Sequence, residues 1–435
     1  MSSTERLPKS CFLPISKVMR KLRIALVSDL HVGTNARGLD ICPLPIADDA
    51  KIGKKDDYVG IFERTAAEFL ASGRIDILCV TGDITNTGHA SEFSSASRAI
   101  GRIATALDVA EHRVFFSPGN HDVNWPVMKL SPESFWSAHR YSPMLQDELI
   151  FQRRLADAIA GRIDTHPYYV VWDSPEALVA SVNSAAYDGP NAAPHSGEIR
   201  QETIDDLRRF LSGMERDSNK IRMCLLHHHP IQYSEPIPDT PDQSIIVNAE
   251  NFLNLISEQQ FDIILHGHKH HPRLKTHQGD NSNPFVSLCA GSFSATLNSL
   301  QSGTISNLFH IINIESRHPA SGGIQGYVET WSFRTEGKWQ VSHQLHGIHP
   351  REAFGTSASV GEIENRIRTI LTSFVQTARN CAWSDIITAD PELDFVRTDV
   401  AFGAFTRMSV EQGYEVAGDK HVATRTWVAY GRKQP

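Results

Sequence analysis

"RVFFSPGNHDV", residues 113–123, sets Gly119, Asn120, His121 and Asp122 at one bend directly after an apolar run. Taken alone, Pro118-Gly119-Asn120 reads as a turn that ends a strand, because proline presets its dihedral and glycine and asparagine tolerate unusual ones. The polar cluster acquires meaning from the residues that come after the other apolar runs. "LRIALVS" (22–28) leads into Asp29-Leu30-His31, and "IDILCVT" (75–81) leads into Gly82-Asp83. "IRMCLL" (221–226) is followed by three histidines and Pro230, and "FDIILH" (261–266) by Gly267-His268-Lys269-His270.

Runs that are apolar at successive positions fit strands buried on both faces of a covered sheet. Between them lie stretches of helical periodicity at 57–72, 90–107, 199–213 and 248–260. This alternation predicts an α/β fold, a layered αββα sandwich of two mixed sheets flanked by helices, with a C-terminal extension. "YYVVWD" and "ALVASVNSA", within 168–185, read as an antiparallel pair that starts the second sheet. After residue 290 the pattern turns β-rich, with strands expected at 307–315, 325–333 and 338–344. The expected organisation is an N-terminal segment over 1–20, a main domain over 21–345 and an extension over 346–435. The main domain carries a long loop at 34–56 and an insertion at about 123–166. Loops of that length often serve as lids or substrate walls. The extension opens with an amphipathic helix at 360–378 and is a candidate homo-oligomer contact or cleft cover.

The chain has 435 residues, 40% hydrophobic and 21% charged, which fits a globular protein. A formal net charge of −8 argues against nucleic-acid binding through a basic surface, so nucleic acid enters only as a substrate. The six cysteines are scattered, with no C-x-x-C pair, so neither a zinc finger nor a disulfide framework is expected. The first 27 residues lack an uninterrupted apolar segment followed by a small-residue cleavage site, and no run reaches the roughly 18–20 apolar residues of a membrane span. A cytoplasmic location and no membrane partner are expected.

In an open α/β sheet the carboxyl ends of parallel strands share one edge, where sites form. Asp29, His31, Asp83, Asn120, one histidine of 227–229, His268 and His270 all follow such ends. In D-x-H and H-x-H, residues i and i+2 of extended backbone point to the same side. Gly82, Gly119 and Gly267 allow close approach of the backbone.

In their order, "SDLH", "GD", "GNHD", "HHP" and "GHKH" resemble the signature of the calcineurin-like metallophosphoesterase superfamily, over about residues 22–315. Their local flavour is most similar to the branch of cyclic-nucleotide and glycerophospho-type phosphodiesterases. Protein Ser/Thr phosphatases of the family carry an arginine beside the G-D block, and 82–90 has none here. The resemblance implies two divalent metal ions. Asp29, His31 and His270 would hold one, and Asn120, His228 and His268 the other, with Asp83 bridging both. His228 is chosen from the triplet because it stands two residues before Pro230, in the H-x-P register. With no cysteine in the set, manganese, iron or zinc is expected.

The implied function is a metal-dependent phosphoric ester hydrolase, a phosphodiesterase for a small diester, with cyclic nucleotides among the candidates. Two ions ~3.5–4 Å apart would acidify a shared water and clamp the phosphoryl oxygens, so that in-line attack by a bridging hydroxide is the expected mechanism. His121 would stabilise those oxygens or protonate the leaving group, with Asp122 orienting its imidazole. The alternatives are a DNA or RNA nuclease, a phosphomonoesterase, and a scaffold that has kept the fold without the chemistry.

Overall fold

The apolar runs become strands whose two sides are both covered. The computed structural model describes residues 20–33, 57–123, 163–166, 168–188, 195–233, 245–277, 284–297, 306–334, 337–342, 347–377 and 380–431. The loop expected at 34–56, and all but the ends of the insertion expected at 123–166, lie outside these residues.

The chain begins one sheet, builds a second, and returns to the first. Strands β1 (Leu22–Val27), β2 (Ile77–Thr81) and β3 (Val114–Ser117) run parallel side by side. Seven strands then form the second sheet. They are β4 (Ile163–His166), β5 (Tyr169–Asp173), β6 (Ala177–Val182), β7 (Ile221–Leu225), β8 (Ile263–His266), β9 (Arg273–His277) and β10 (Phe285–Cys289), in spatial order 4-5-6-7-8-10-9. Its central strands β6, β7, β8 and β10 are parallel, and β5 pairs antiparallel with β6 as the sequence predicts. The long strands β11 (Leu308–Arg317) and β12 (Ile324–Arg334), with β13 (Lys338–Val341), complete the first sheet in the order 13-12-11-1-2-3. Strand β14 (Arg351–Phe354) also pairs with β12, so this sheet continues past the boundary expected at 345.

Alternate residues of the second sheet enter different cores, as the pleat requires. Val170, Trp172, Val179, Met223, Leu225, Ile263 and Leu265 join the cluster that also contains Ile24, Leu26 and Phe115 of the first sheet. Phe115 meets Trp172 across the two sheets, with ring centroids 5.2 Å apart. Tyr169, Val171, Leu178, Cys224 and Ile264 turn the other way, onto helices α3 (Gln201–Ser212) and α4 (Ala249–Glu258). On the first sheet the covering helices are α1 (Tyr58–Phe69) and α2 (Ala90–Ala106), where Phe62 of α1 packs at 4.9 Å against Phe309 of β11. Each of these large side chains contributes on the order of 1.5–3 kcal/mol through burial. The layers are those of the expected αββα sandwich.

A separate core gathers Trp383, Trp427, Phe405 and Leu371 from the C-terminal segment. It is built by α5 (Val360–Gln376), α6 (Trp383–Ala389) and α7 (Thr398–Glu411) with a three-stranded sheet of β15 (Cys381–Ala382), β16 (Tyr414–Ala417) and β17 (Val428–Gly431). It is tied to the first sheet by hydrogen bonds, among them Thr398 N to Glu352 at 3.0 Å and Arg351 to Asp394 at 3.2 Å. Among the described residues, no helix is long and apolar enough to cross a membrane.

Candidate metal centre

Because β1, β2 and β3 are parallel to one another, as are β7 and β8, the residues that follow them emerge at shared sheet edges. The loops are stitched together by main-chain bonds. Asp29 N donates to Gly82 O (3.0 Å), His31 N to Asp83 O (2.9 Å) and Gly267 N to His227 O (3.0 Å). Across the two sheets, His227 Nδ1 bonds Thr81 O at 2.8 Å. Gly82 has φ +84°, and a Cβ there would lie 2.5 Å from His227 Nδ1, so no side chain fits. Backbone strain concentrates at this edge. Asp29 (φ 52°), His31 (49°), Asp83 (48°), His268 (84°) and His270 (57°) all occupy the left-handed region that non-glycine residues avoid.

These side chains converge in two groups joined by one carboxylate. In the first group His270 Nε2 lies 3.2 Å from Asp29 Oδ1 and 3.1 Å from His31 Nε2. In the second, His268 Nδ1 lies 3.1 Å from Asn120 Oδ1 and 3.3 Å from His227 Nε2. Asp83 Oδ2 stands between them, 3.2 Å from His227 Nε2 and 3.5 Å from His31 Nε2. Its other oxygen accepts from the His121 amide at 2.9 Å. Asp29-His31-His270, His31-Asp83-His121 and Asp83-His227-His268 each bring their donor atoms within 4.8 Å of one another and could hold a metal ion.

Burial by itself would keep both carboxyls neutral, but the surrounding imidazoles overrule it. Burial pushes the Asp83 carboxyl up, while His227, His121 and His31 hold it well below the usual range; His270 and His227 do the same for Asp29. Burial lowers His31 to about 4 and takes His268 well below the ordinary imidazole value. His227 goes the other way, because Asp83 and Asp29 outweigh its burial and raise it to about 9. Ionised carboxylates facing the unprotonated imidazoles of His31 and His268 supply donors that cations require, and His227 would give up its proton when a cation binds. Thr81 O fixes the His227 tautomer and leaves Nε2 turned to Asp83, the outer support that metal-binding histidines use.

Asp29, His31, Asp83, Asn120, His268 and His270 thus meet at one place, but His228 does not join them. Its Nδ1 bonds Ser184 Oγ at 2.9 Å, and its ring packs at 4.5 Å against the His268 ring. The position expected for it belongs to His227. The H-x-P register assumes that the chain stays extended back from Pro230, but β7 ends at Leu225 and residues 227–228 form a bend. Leu226 still bonds Leu265 O, so His227 is the first side chain off the ladder. The available sequence signal was its place next to the apolar run rather than its distance from the proline.

Asp122 is also placed differently from the expectation. One of its oxygens accepts from Thr85 N (2.8 Å) and Thr85 Oγ1 (2.9 Å), the other from Gly119 N (2.8 Å) and Ile84 N (3.2 Å). It clamps the G-D loop to the G-N-H-D turn, and burial together with Asp83 raises its carboxyl to about 6. His121 is oriented instead by Asn86 O, 2.9 Å from its Nδ1. Its ring stands 4.7 Å from that of His31.

A second buried group lies behind the first. His229, His266 and Cys289 bring donor atoms within 4.8 Å of one another, and Tyr233 Oη bonds both His266 Nε2 (3.0 Å) and Ser287 Oγ (2.9 Å).

The sequence matches the calcineurin-like phosphoesterase family over residues 22–272, a span that ends just past His270. The chain belongs to that family. No curated protein matches it significantly. Among solved structures it is similar to a purple acid phosphatase from yellow lupin seeds, at 12% identity and a TM-score of 0.41, over 72% of this chain and 52% of that one. The chain thus spans about half the length of the lupin protein. It is also similar to the NAD nucleotidase of Haemophilus influenzae (12% identity, TM-score 0.35, 76% and 54% covered). A third similar structure is Vps29 of Entamoeba histolytica, crystallised with zinc (10% identity, TM-score 0.26, 73% and 96% covered).

Proposed function

We propose that this chain is a metal-dependent phosphoester hydrolase whose substrate is a small phosphodiester. The observation that carries the reading is Asp83, a buried carboxylate set between His31 of one group and His227 of the other. Asp29, His31 and His270 would hold one divalent ion and Asn120, His227 and His268 the second, with Asp83 available to both. Nitrogen and oxygen donors with no thiolate suit manganese, iron or zinc. When bound, such ions supply positive charge to the phosphoryl oxygens and acidify water.

The protein's own contribution is placement. Asn86 O holds His121 by Nδ1 beside His31, and from that position the imidazole would donate to a phosphoryl oxygen or to the leaving oxygen. Asp83 and Asn86 raise the His121 imidazole despite its burial, which favours the proton-carrying form a donor needs. Asp122 keeps the turn in register with the G-D loop. A monoester carries more negative charge than a diester, and residues 82–90 supply no arginine to meet it, which supports the diester.

Manganese-loaded protein assayed against bis-p-nitrophenyl phosphate, p-nitrophenyl phosphate, cyclic AMP and single-stranded DNA tests the assignment. Turnover of bis-p-nitrophenyl phosphate or cyclic AMP above the others is the expected result. A monoester-only profile overturns the diester assignment, a DNA-dominated one replaces it with nuclease activity, and inactivity with every metal overturns the enzyme reading.

A further inference from the structure

The second sheet has an opposite edge, where β7 and β8 begin rather than end. A cavity of about 300 Å³ opens there, lined by Arg216, Lys220, Arg222, Asp262 and Arg317 among others. We propose that this cavity binds a small oxyanion, with phosphate preferred to carboxylate.

Charge is the first support. The lining carries the cations Arg216, Lys220, Arg222 and Arg317 against the carboxylates Asp217 and Asp262. Arg317 is bidentate on Asp262, at 2.5 and 2.8 Å, so these two charges satisfy one another. Lys220 pairs with Asp173 at 2.6 Å. Arg216, exposed at the rim, hydrogen-bonds among the described residues to neutral oxygens alone, Gln260 Oε1 at 3.2 Å and Glu258 O at 3.3 Å.

Arg222 is the second support and the stronger one. Only 7% of this residue is exposed, and Nε and Nη2 of its guanidinium, both closed to solvent, have no hydrogen-bond partner among the described residues. Its backbone N–H, not its side chain, takes Asp262 Oδ2 at 2.8 Å. Phe261 lies beneath it, with the ring centroid 5.3 Å from Cζ. A buried guanidinium with no ion-pair partner among the described residues is costly unless an anion enters the cavity it lines. Planar N–H donors match the oxygens of phosphate or carboxylate, and cations in excess of carboxylates favour the more highly charged phosphate. The volume lies at the lower end of small-ligand pockets and admits a phosphate with a small attached group.

The cavity is distinct from the metal centre. Lys220, Arg222 and Asp262 stand at the beginnings of β7 and β8, whereas His227 and His268 follow their ends. Strands of this length separate the two edges by roughly 15 Å, at ~3.3 Å per residue.

Calorimetric titration of the full metal-loaded chain with orthophosphate tests the proposal. Two binding events are expected in the wild type, one of which is also measured separately as competitive inhibition of ester hydrolysis. Arg222→Gln and, should that variant fold poorly, the rim variant Arg216→Ala should weaken the other event at least tenfold and leave the inhibition constant unchanged. Tungstate soaked into crystals should appear beside Arg222. Unchanged titrations in both variants, or no tungstate in the cavity, overturn the site; acetate binding as tight as phosphate overturns the preference.

Discussion

His227 and His229 are two residues apart, yet they serve buried clusters of opposite character. His227 faces Asp83, Asp29 and His268, where two carboxylates lie among imidazoles. His229 faces His266 and Cys289, with Tyr233 alongside and no carboxylate in the group. Both sets place donor atoms at metal-binding separations. What separates them is charge. A divalent cation in the first set is offset by Asp29 and Asp83, whereas in the second it would meet only neutral donors in a dry interior. Burial and neighbouring positive groups, His266 and Lys269 first, drive His229 well below the ordinary imidazole value, so His229 itself packs unprotonated. Histidine number is therefore a poor guide to a reactive site, and the position of buried carboxylates is a better one.

Replacing the shared carboxylate should break this contrast most severely. Asp83→Asn is expected to lower turnover by about 10³-fold or more and to reduce metal content by elemental analysis. His121→Ala should cost about 10²–10³-fold in turnover while metal content stays at the wild-type level. Full activity of that variant on an unactivated ester would remove His121 from the chemistry. The triplet offers a direct comparison. His227→Ala should lose metal and about 10²-fold in activity, and His228→Ala should keep its metal, because its ring touches Ser184 and His268 rather than Asp83.

A fourth prediction concerns a neutral buried histidine that belongs to neither cluster. Burial lowers His310 to about 3, and the imidazole bonds Thr330 Oγ1 at 3.1 Å and Gly291 N at 3.4 Å. The folded chain keeps it unprotonated while the unfolded chain takes up a proton near pH 6.5. Its contribution to stability is complete above that pH and falls away as the pH drops from 6.5 towards 3. The loss reaches roughly 2 kcal/mol at pH 5, and His310→Gln should flatten the acid limb of a denaturation series. The smallest effect is expected at the rear cluster, where His229→Leu should leave metal content unchanged and activity within about threefold. Loss of metal in that variant would erase the distinction between the clusters.

Much of this architecture was open to reading from the chain. Strands such as Ile77–Thr81 are buried along their whole length, so no polar residue interrupts the run. Motif residues follow such runs because loops at the carboxyl edge are the place where backbone leaves the ladder. The C-terminal core was less legible. Trp383, Phe405 and Trp427 are far apart in sequence and pack from short elements, and strands of two to four residues carry too few positions for a period to show.

Apolar periodicity and the order of the polar blocks were enough to define the layers, the shared edge and six of the residues that meet there, since both depend on local spacing along single strands. Only the folded chain chose His227 over His228 and gave Asp122 to the Thr85 loop rather than to the imidazole. Those choices depend on Thr81, Ser184 and Asn86, whose oxygens approach from segments remote in sequence and decide which way each side chain turns.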